Sequence, residues 1–201
     1  MCAGMQNDSG MKKIATHDSA TGERPMWYCW PLAPFAMTQS KTIEEQYNAG
    51  CRLFDLRLRW HRGRMRLAHG WYIIRRDIND VLRFLNEKGD CHVTITYEGF
   101  AGEERRRCFI WLVRRLKYVY PNIGYGPAAI KKGNGSTLVK TKYEYVVPAD
   151  KDWLDAPSRS HFVKLDGSNL CWLLPFPWLW KKLRFNKPDF RDDCYTYVDF
   201  L

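Results

Sequence analysis

The stretch CRLFDLRLRW, residues 51–60, sets terms that the rest of the chain must meet. In an extended strand, successive side chains point to opposite faces. Phe54, Leu56, Leu58 and Trp60 then share one face with Arg52, while Leu53, Asp55, Arg57 and Arg59 share the other. The apolar face needs a covering layer, and RRDINDVLRFLNEKG (75–89) supplies one. Its Ile78, Val81, Leu82 and Leu85 fall on one helical stripe, and Gly89 marks its stop. HVTITYEG (92–99) is strand-like again, and GEERRRCFIWLVRRLKYVY (102–120) is again a helix, with Phe109, Leu112, Val113 and Leu116 as its buried stripe. Its arginines read as a solvated face.

Upstream, a first strand fits 12–16, and RPMWYCWPLAPFAM (24–37) reads as a loop with a short helix. A further helix opens at Ser40 or Thr42, carries Glu44 and Glu45 in its first turn and ends at Ala49-Gly50. This alternation of strand and helix predicts a parallel sheet with helices outside, an α/β fold. After residue 120 the pattern blurs; 136–147, 161–167 and 194–201 read as further strands.

With 201 residues, 45% of them hydrophobic, the chain suits one domain with one core, from 12 to 201, behind a polar tail at 1–11. The net charge of +10 favours an anionic partner: nucleic acid, a membrane surface or a phosphate-bearing substrate. The seven cysteines are scattered without a CxxC pair, which points to free thiols rather than a zinc site or a disulfide framework. MCAGMQNDSG has no apolar core of a secretory signal, and LCWLLPFPWLW (170–180) is too short and too proline-broken to span a membrane.

In parallel α/β folds, reactive groups gather at the C-terminal ends of the strands. Such ends carry Thr16-His17-Asp18, the pair Asp55 and Arg57, His69-Gly70, Glu98, and Asp199 near the end of the sequence. Each has a plain structural reading: a turn histidine, a strand-face ion pair, a solvated terminal acid. Their joint occurrence is the functional signal.

These segments, KKIATHDSATG, TIEEQYNAGCRLFDLRLRW, RLAHGW and DINDVLRFLNEKGDCHVTITYE, resemble the X domain of phosphatidylinositol-specific phospholipase C over residues 12–98. The likeness returns loosely at HFVKLDGSN and the final VDF, and Ala15 stands where that family usually has glycine. The resemblance implies a TIM-barrel-like (β/α) barrel. At this length, against about 250 residues for a complete barrel, it should be compact, with missing or shortened helices, and irregular or incomplete.

The resemblance also implies roles. His17 is the general base on the inositol 2-hydroxyl and Asp199 the carboxylate that orients it. His69 is the general acid on the leaving diacylglycerol oxygen, Asp55 its carboxylate partner, and Arg57 the cation over the phosphate. Asp18 is not expected to serve His17, because neighbours on an extended chain point apart; it is expected to support Arg57. Glu98 is expected to pair with Arg57 or meet an inositol hydroxyl, and Lys140, Lys142 and Tyr143 are substrate-binding candidates.

The chemistry suits these residue types. Imidazoles titrate near neutrality, carboxylates fix their tautomers, and a guanidinium offers two donors to a phosphate. The nucleophile belongs to the substrate. Eukaryotic members of the family hold calcium with an acid where this chain has Arg57, so a metal-independent site of the bacterial type is expected. Calcium through Glu98 and Asp55 is the lesser alternative.

Trp27 and Trp30, with Trp178 and Trp180 and the basic residues after them, are expected to share the rim and meet a lipid headgroup layer. The other reading is a small aromatic core. A monomer acting peripherally at a membrane is expected, and the family implies a secreted or membrane-associated protein. Competing readings are a related phosphodiesterase acting on another phospholipid or glycosyl-inositol headgroup, and an inactive basic membrane-binding module. Nucleic acid is disfavoured because the aromatics cluster with prolines and leucines rather than along a basic groove.

Overall fold

The side-chain alternation of the central strands builds the molecule. In the computed structural model, residues 13–99, 102–132, 142–150, 158–160 and 195–198 are described, with the backbone alone at 142 and 158–160. The expected tail at 1–11 and the strand expected at 161–167 lie outside these residues.

Strand β1 (Ile14–Thr16) leads through two 3-10 turns and the short helix α1 (Ala33–Ala36) to α2 (Ile43–Asn48). Then follow β2 (Cys51–His61), β3 (Arg64–His69), β4 (Tyr72–Ile73), α3 (Ile78–Lys88), β5 (Cys91–Tyr97) and α4 (Glu103–Val119). The later elements are β6 (Ile123–Tyr125), β7 (Ala128–Lys132), β8 (Lys142–Val147), β9 (Ser158–Ser160) and β10 (Tyr195–Val198).

Local sequence accounts for the boundaries. Thr42 caps α2 reciprocally: its hydroxyl accepts from Glu45 N at 3.3 Å, and the Glu45 carboxylate accepts from Thr42 N at 2.7 Å. Asp77 caps α3 by accepting from Asn79 N at 2.9 Å. Between β2 and β3, Arg62 and Gly63 turn the chain with φ of 47° and 82°, the positive values that a two-residue hairpin turn demands.

The central sheet runs β8-β7-β5-β2-β1-β10-β9. The pairs β9–β10, β10–β1, β1–β2, β2–β5 and β5–β7 are parallel, as the strand–helix alternation predicts. First and last strands are neighbours, with Ile14 opposite Thr196. A hairpin turn at residues 61–64 followed by a short strand at 65–71 is legible in the sequence, and β3 pairs antiparallel with β2 accordingly. Three features are not: β4 adds antiparallel to β3, β8 runs antiparallel to β7, and β6 adds a short parallel pairing on β5. The end strands β8 and β9 do not pair with each other among the described residues, so the sheet is mixed, large and open rather than a shown barrel.

The apolar face of β2 meets the expected cover. Phe54, Leu56 and Leu58 join Val93, Ile95 and Tyr97 of β5 in one core with Val81, Leu82 and Leu85 of α3 and Phe109, Val113 and Leu116 of α4. Cys29, Cys51 and Cys91 are buried free thiols, and burial pushes that of Cys51 up to about 12. The opposite face of the two central strands is polar: Asp55 lies opposite Thr94 and Arg57 opposite Thr96. Polar side chains on a covered sheet face need partners, and those partners form the site.

Candidate active site

The chain leaves β1 in a tight turn that sets the site's first members. Ser19, fully buried, donates to Thr16 O at 2.8 Å, and its oxygen accepts from Asp55 N at 2.8 Å. The backbone of His17 is clamped from two further elements. Its N–H donates to Val198 O at 3.2 Å, and its carbonyl accepts from Gln39 Nε2 at 3.1 Å and Thr38 Oγ1 at 3.2 Å. Asp18 then takes a left-handed conformation, φ 46°, which swings its side chain back toward the ring that precedes it.

Arg57 is the centre. The guanidinium, largely buried, meets Asp18 and Asp55 through Nε, the latter at 3.1 Å, and Glu98 through Nη1 at 2.7 Å, while Nη2 faces His17 Nε2. Burial works against its charge, but Asp18, Asp55 and Glu98 raise its pKa well above the ordinary value. Conversely, burial pushes the carboxyls of Asp55 and Glu98 up, and Arg57 outweighs it, leaving both below the ordinary range. Asp55 also accepts from Thr94 Oγ1 at 3.2 Å and Asp18 N at 3.3 Å, and Glu98 accepts from Gly70 N. Gly70 can aim that N–H because its φ of 57° is one that other side chains resist.

His69, at the end of β3, reaches the same place. Its Nδ1 lies 2.7 Å from Ala36 O, and since a carbonyl only accepts, Nδ1 carries the hydrogen. Nε2 is thus the atom that gains and loses a proton, and it stands 3.4 Å from Asp18 Oδ2. His17 Nδ1 stands 3.2 Å from that same oxygen. Asp18 is 2% exposed, yet neither of its carboxylate oxygens meets hydrogen-bond geometry; charge holds it, with Arg57 at Oδ1 and two imidazoles at Oδ2.

Two solved structures share this architecture. The Listeria monocytogenes phosphatidylinositol-specific phospholipase C superposes with a TM-score of 0.54 at 13% identity, covering 95% of this chain and 89% of that one. A doubly substituted form of the Staphylococcus aureus enzyme of the same name gives a TM-score of 0.51 at 14% identity, covering 95% and 86%. The fold is similar to that of bacterial phosphatidylinositol-specific phospholipase C. At this identity the likeness is one of fold. No family model and no curated protein sequence matches the chain.

Most of the residues expected in the site come together: His17, Asp18, Asp55, Arg57, His69 and Glu98. Two expected pairings change. Asp55 is placed beside Arg57, 3.9 Å from His17 Nε2, and the carboxylate facing His69 is Asp18. Asp18 also serves His17, against expectation, because the left-handed turn removes the extended geometry that would separate neighbouring side chains. Its expected support of Arg57 is present. Asp199, Lys140, Trp178 and Trp180 lie outside the described residues, as does the side chain of Lys142.

Two residues stand out that sequence reasoning passed over or could only guess. Lys131 of β7 brings Nζ to 3.8 Å from Glu98, adding a cation at a site otherwise rich in carboxylates. Tyr143 of β8, opposite Lys131, lies within the field of Arg57, Asp55, Asp18 and Glu98; burial, ahead of these charges, raises its phenol above the ordinary value. The alternation in KKGNGSTLVKTKYEYVV could not reveal that β7 and β8 pair antiparallel and turn these side chains to the site.

The donor atoms of His17, Asp18 and Asp55, and those of Asp18, His69 and Glu98, cluster closely enough to hold a metal ion. Arg57 already stands among the same three carboxylates. An ion bound by all of them would have to share their charge with the guanidinium or displace it, which makes the fit poor.

At the rim, Trp27 is 81% exposed and Trp30 55%. Leu32 and Phe35 of the same segment are exposed too, as is Trp71 in the turn between β3 and β4, where the Arg59 guanidinium lies 3.8 Å over its ring. Tyr28 by contrast turns inward and pairs with His61 Nε2 at 2.7 Å. Among the described residues no helix is long and apolar enough to cross a membrane.

Proposed function

We propose that this chain is a phosphodiesterase of the phosphatidylinositol-specific phospholipase C type. It cleaves an inositol phospholipid to diacylglycerol and inositol 1,2-cyclic phosphate, as a phosphorus–oxygen lyase. The observation that carries this reading is the convergence of His17 Nδ1 and His69 Nε2 on one buried Asp18 oxygen, at 3.2 and 3.4 Å, with Arg57 beside them.

The steps follow from the donors and acceptors. With Nδ1–H turned to Asp18, His17 offers the Nε2 lone pair, which faces Arg57 Nη2. A phosphate takes over that guanidinium N–H, since Arg–phosphate pairing is charge-assisted and two-pronged. The freed Nε2 then removes the proton of the inositol 2-hydroxyl, whose oxygen attacks phosphorus. Arg57 meets the charge that builds on the non-bridging oxygens. His69, as imidazolium, gives its Nε2 proton to the departing glycerol oxygen. Asp18 stabilises whichever ring is charged, while Asp55 and Glu98 hold Arg57 in place. Asp199 is proposed as a further orienting carboxylate for His17, and Lys131, Lys142 and Tyr143 as contacts to the headgroup.

No metal is assigned a role, because Arg57 supplies the positive charge among the carboxylates. Chelator should leave the rate unchanged; loss with EDTA and recovery with calcium would overturn this part. The protein is read as acting peripherally, with Trp27 and Trp30, joined by Trp178 and Trp180, at the headgroup layer.

The test is phosphorus NMR of phosphatidylinositol vesicles with the wild type, His17→Ala and His69→Ala. A cyclic phosphate product that both substitutions abolish is expected. Cleavage of a glycosylated inositol lipid or another phospholipid in preference would move the assignment to that headgroup. Vesicle binding without any cleavage would leave an inactive membrane-binding module.

A further inference from the structure

Away from the histidines, two arginines are held together without an acidic partner among the described residues. Residues 24–26 and 73–75 lie side by side through an antiparallel bridge between Pro25 and Ile74. Arg75 N donates to Arg24 O at 2.9 Å, and Met26 N to Ile73 O at 2.9 Å. This register sets Arg24 directly opposite Arg75. Like charges in that relation repel and destabilise the pairing. Both side chains are exposed, and neither has an acidic partner among the described residues. The next residue, Arg76, is treated differently: it is paired with Glu23 at 2.8 Å and also with Glu44. The local acids are therefore committed to Arg76, and the two neighbouring guanidinium groups are left facing outward.

They border a cleft of about 290 Å³ lined by Arg24, Pro25, Met26, Trp27, Trp30 and Arg75. Its lining combines two guanidinium groups with two indoles and a thioether. The ligand chemistry this fits has an anionic phosphate attached to an apolar body. Two guanidinium forks suit phosphate oxygens, and exposed tryptophans suit the glycerol and upper acyl region of a lipid. Inorganic phosphate would use the arginines alone and leave the indoles without a role.

We propose that this cleft is an accessory site that binds the phosphate of an anionic phospholipid in the membrane, separate from the molecule being cleaved. The proposal rests on the reading that this rim meets a lipid surface, and it does not depend on any chemistry at His17. Its function is to anchor: the Trp27–Phe35 segment continues to Ala36, whose carbonyl holds His69, so a lipid seated here holds the rim beside the reacting groups.

The test measures binding of the full chain to vesicles of phosphatidylcholine, alone and with phosphatidylglycerol mixed in. The wild type should prefer the mixed vesicles. Arg24→Gln with Arg75→Gln should lower affinity for the mixed vesicles about thirty-fold, with affinity for pure phosphatidylcholine unchanged. Arg24→Lys with Arg75→Lys should recover part of the loss, and an unchanged melting temperature checks the fold. Arg114→Gln with Arg115→Gln, on α4, removes the same charge elsewhere. An equal loss in that pair would show diffuse charge and overturn the site, as would an unaffected Arg24/Arg75 variant. In a second arm, inorganic phosphate is titrated against tryptophan fluorescence. Displacement of the protein from mixed vesicles at equal phosphate and lipid concentrations would overturn the lipid assignment. If phosphatidylinositol cleavage fails while the phosphatidylglycerol preference and its loss are observed, the catalytic reading falls and this one stands.

Discussion

Asp18→Asn is the sharpest test of how the site is organised. Asparagine keeps the shape of the side chain and tolerates the left-handed backbone at φ 46°, so the turn should survive. What goes is one negative charge that faces Arg57, His17 and His69. The imidazole contacts are at 3.2 and 3.4 Å; with an effective dielectric of about 20, each is worth roughly 5 kcal/mol for a charged ring before solvent screening. Screening is incomplete but present, because the His17 and His69 side chains are 18% and 25% exposed. Removing the orienting charge of a serine-protease triad lowers kcat about 10⁴-fold. Here Asp55 remains 3.9 Å from His17 Nε2, so the expected loss is smaller, about 10²–10³-fold. Stability should change by only about 1–2 kcal/mol, since Arg57 keeps Asp55 and Glu98. The assay is kcat and KM on phosphatidylinositol micelles, with a thermal melt alongside. The loss should fall on kcat. An unchanged kcat with an intact fold would refute the shared-carboxylate arrangement. Asp18→Ala should melt lower than Asp18→Asn, because alanine resists the left-handed conformation by about 1–2 kcal/mol.

Other perturbations read different parts of the same structure. Asp55 and Glu98 have folded-state pKa values below their ordinary ones, so their contribution to stability is whole above the ordinary carboxylate range and is lost as pH falls below that range through the folded values. The melting temperature should therefore drop in that acid window, and less steeply in Glu98→Gln; a flat profile down to pH 3 would count against the buried pairing. Gln39→Ala removes bonds to His17 O at 3.1 Å and Val198 O at 2.9 Å, and should cost about 1–3 kcal/mol in denaturant melts while lowering kcat more than it raises KM. Thr42→Ala removes the reciprocal cap of α2 and should cost about 1 kcal/mol in the same melts without touching kcat, since the helix end carries no site residue.

The parts of the fold that sequence made legible are those with long, unbroken periods. α3 and α4 appear within a few residues of their expected bounds because four apolar positions on one stripe, ended by Gly89 or flanked by charge, leave little choice. β2 was legible because ten residues alternate cleanly, and the same alternation placed Asp55 and Arg57 together. Strands of two to five residues carry too little pattern. Ile123–Tyr125 sits among prolines and glycines, and Ala128–Lys132 begins with alanines, which favour no strand. The site residues were legible one by one, as was the support of Arg57 by Asp18 and Glu98, but the carboxylate facing each histidine was not. That depends on the backbone angle at Asp18, which leaves no mark in residue type.

The seam between β1 and β10 has a consequence in time. His17 is held through Val198 O, which accepts from the His17 N–H and also from Gln39 Nε2 across a sequence separation of 159 residues. Contacts this distant in sequence close late in folding. During synthesis, at the usual pace, roughly ten to forty seconds separate the appearance of His17 from that of Val198. Over that interval the histidine exists as a residue but its backbone is not yet held. The nascent chain can present its aromatic loop well before the cluster around His17 is assembled.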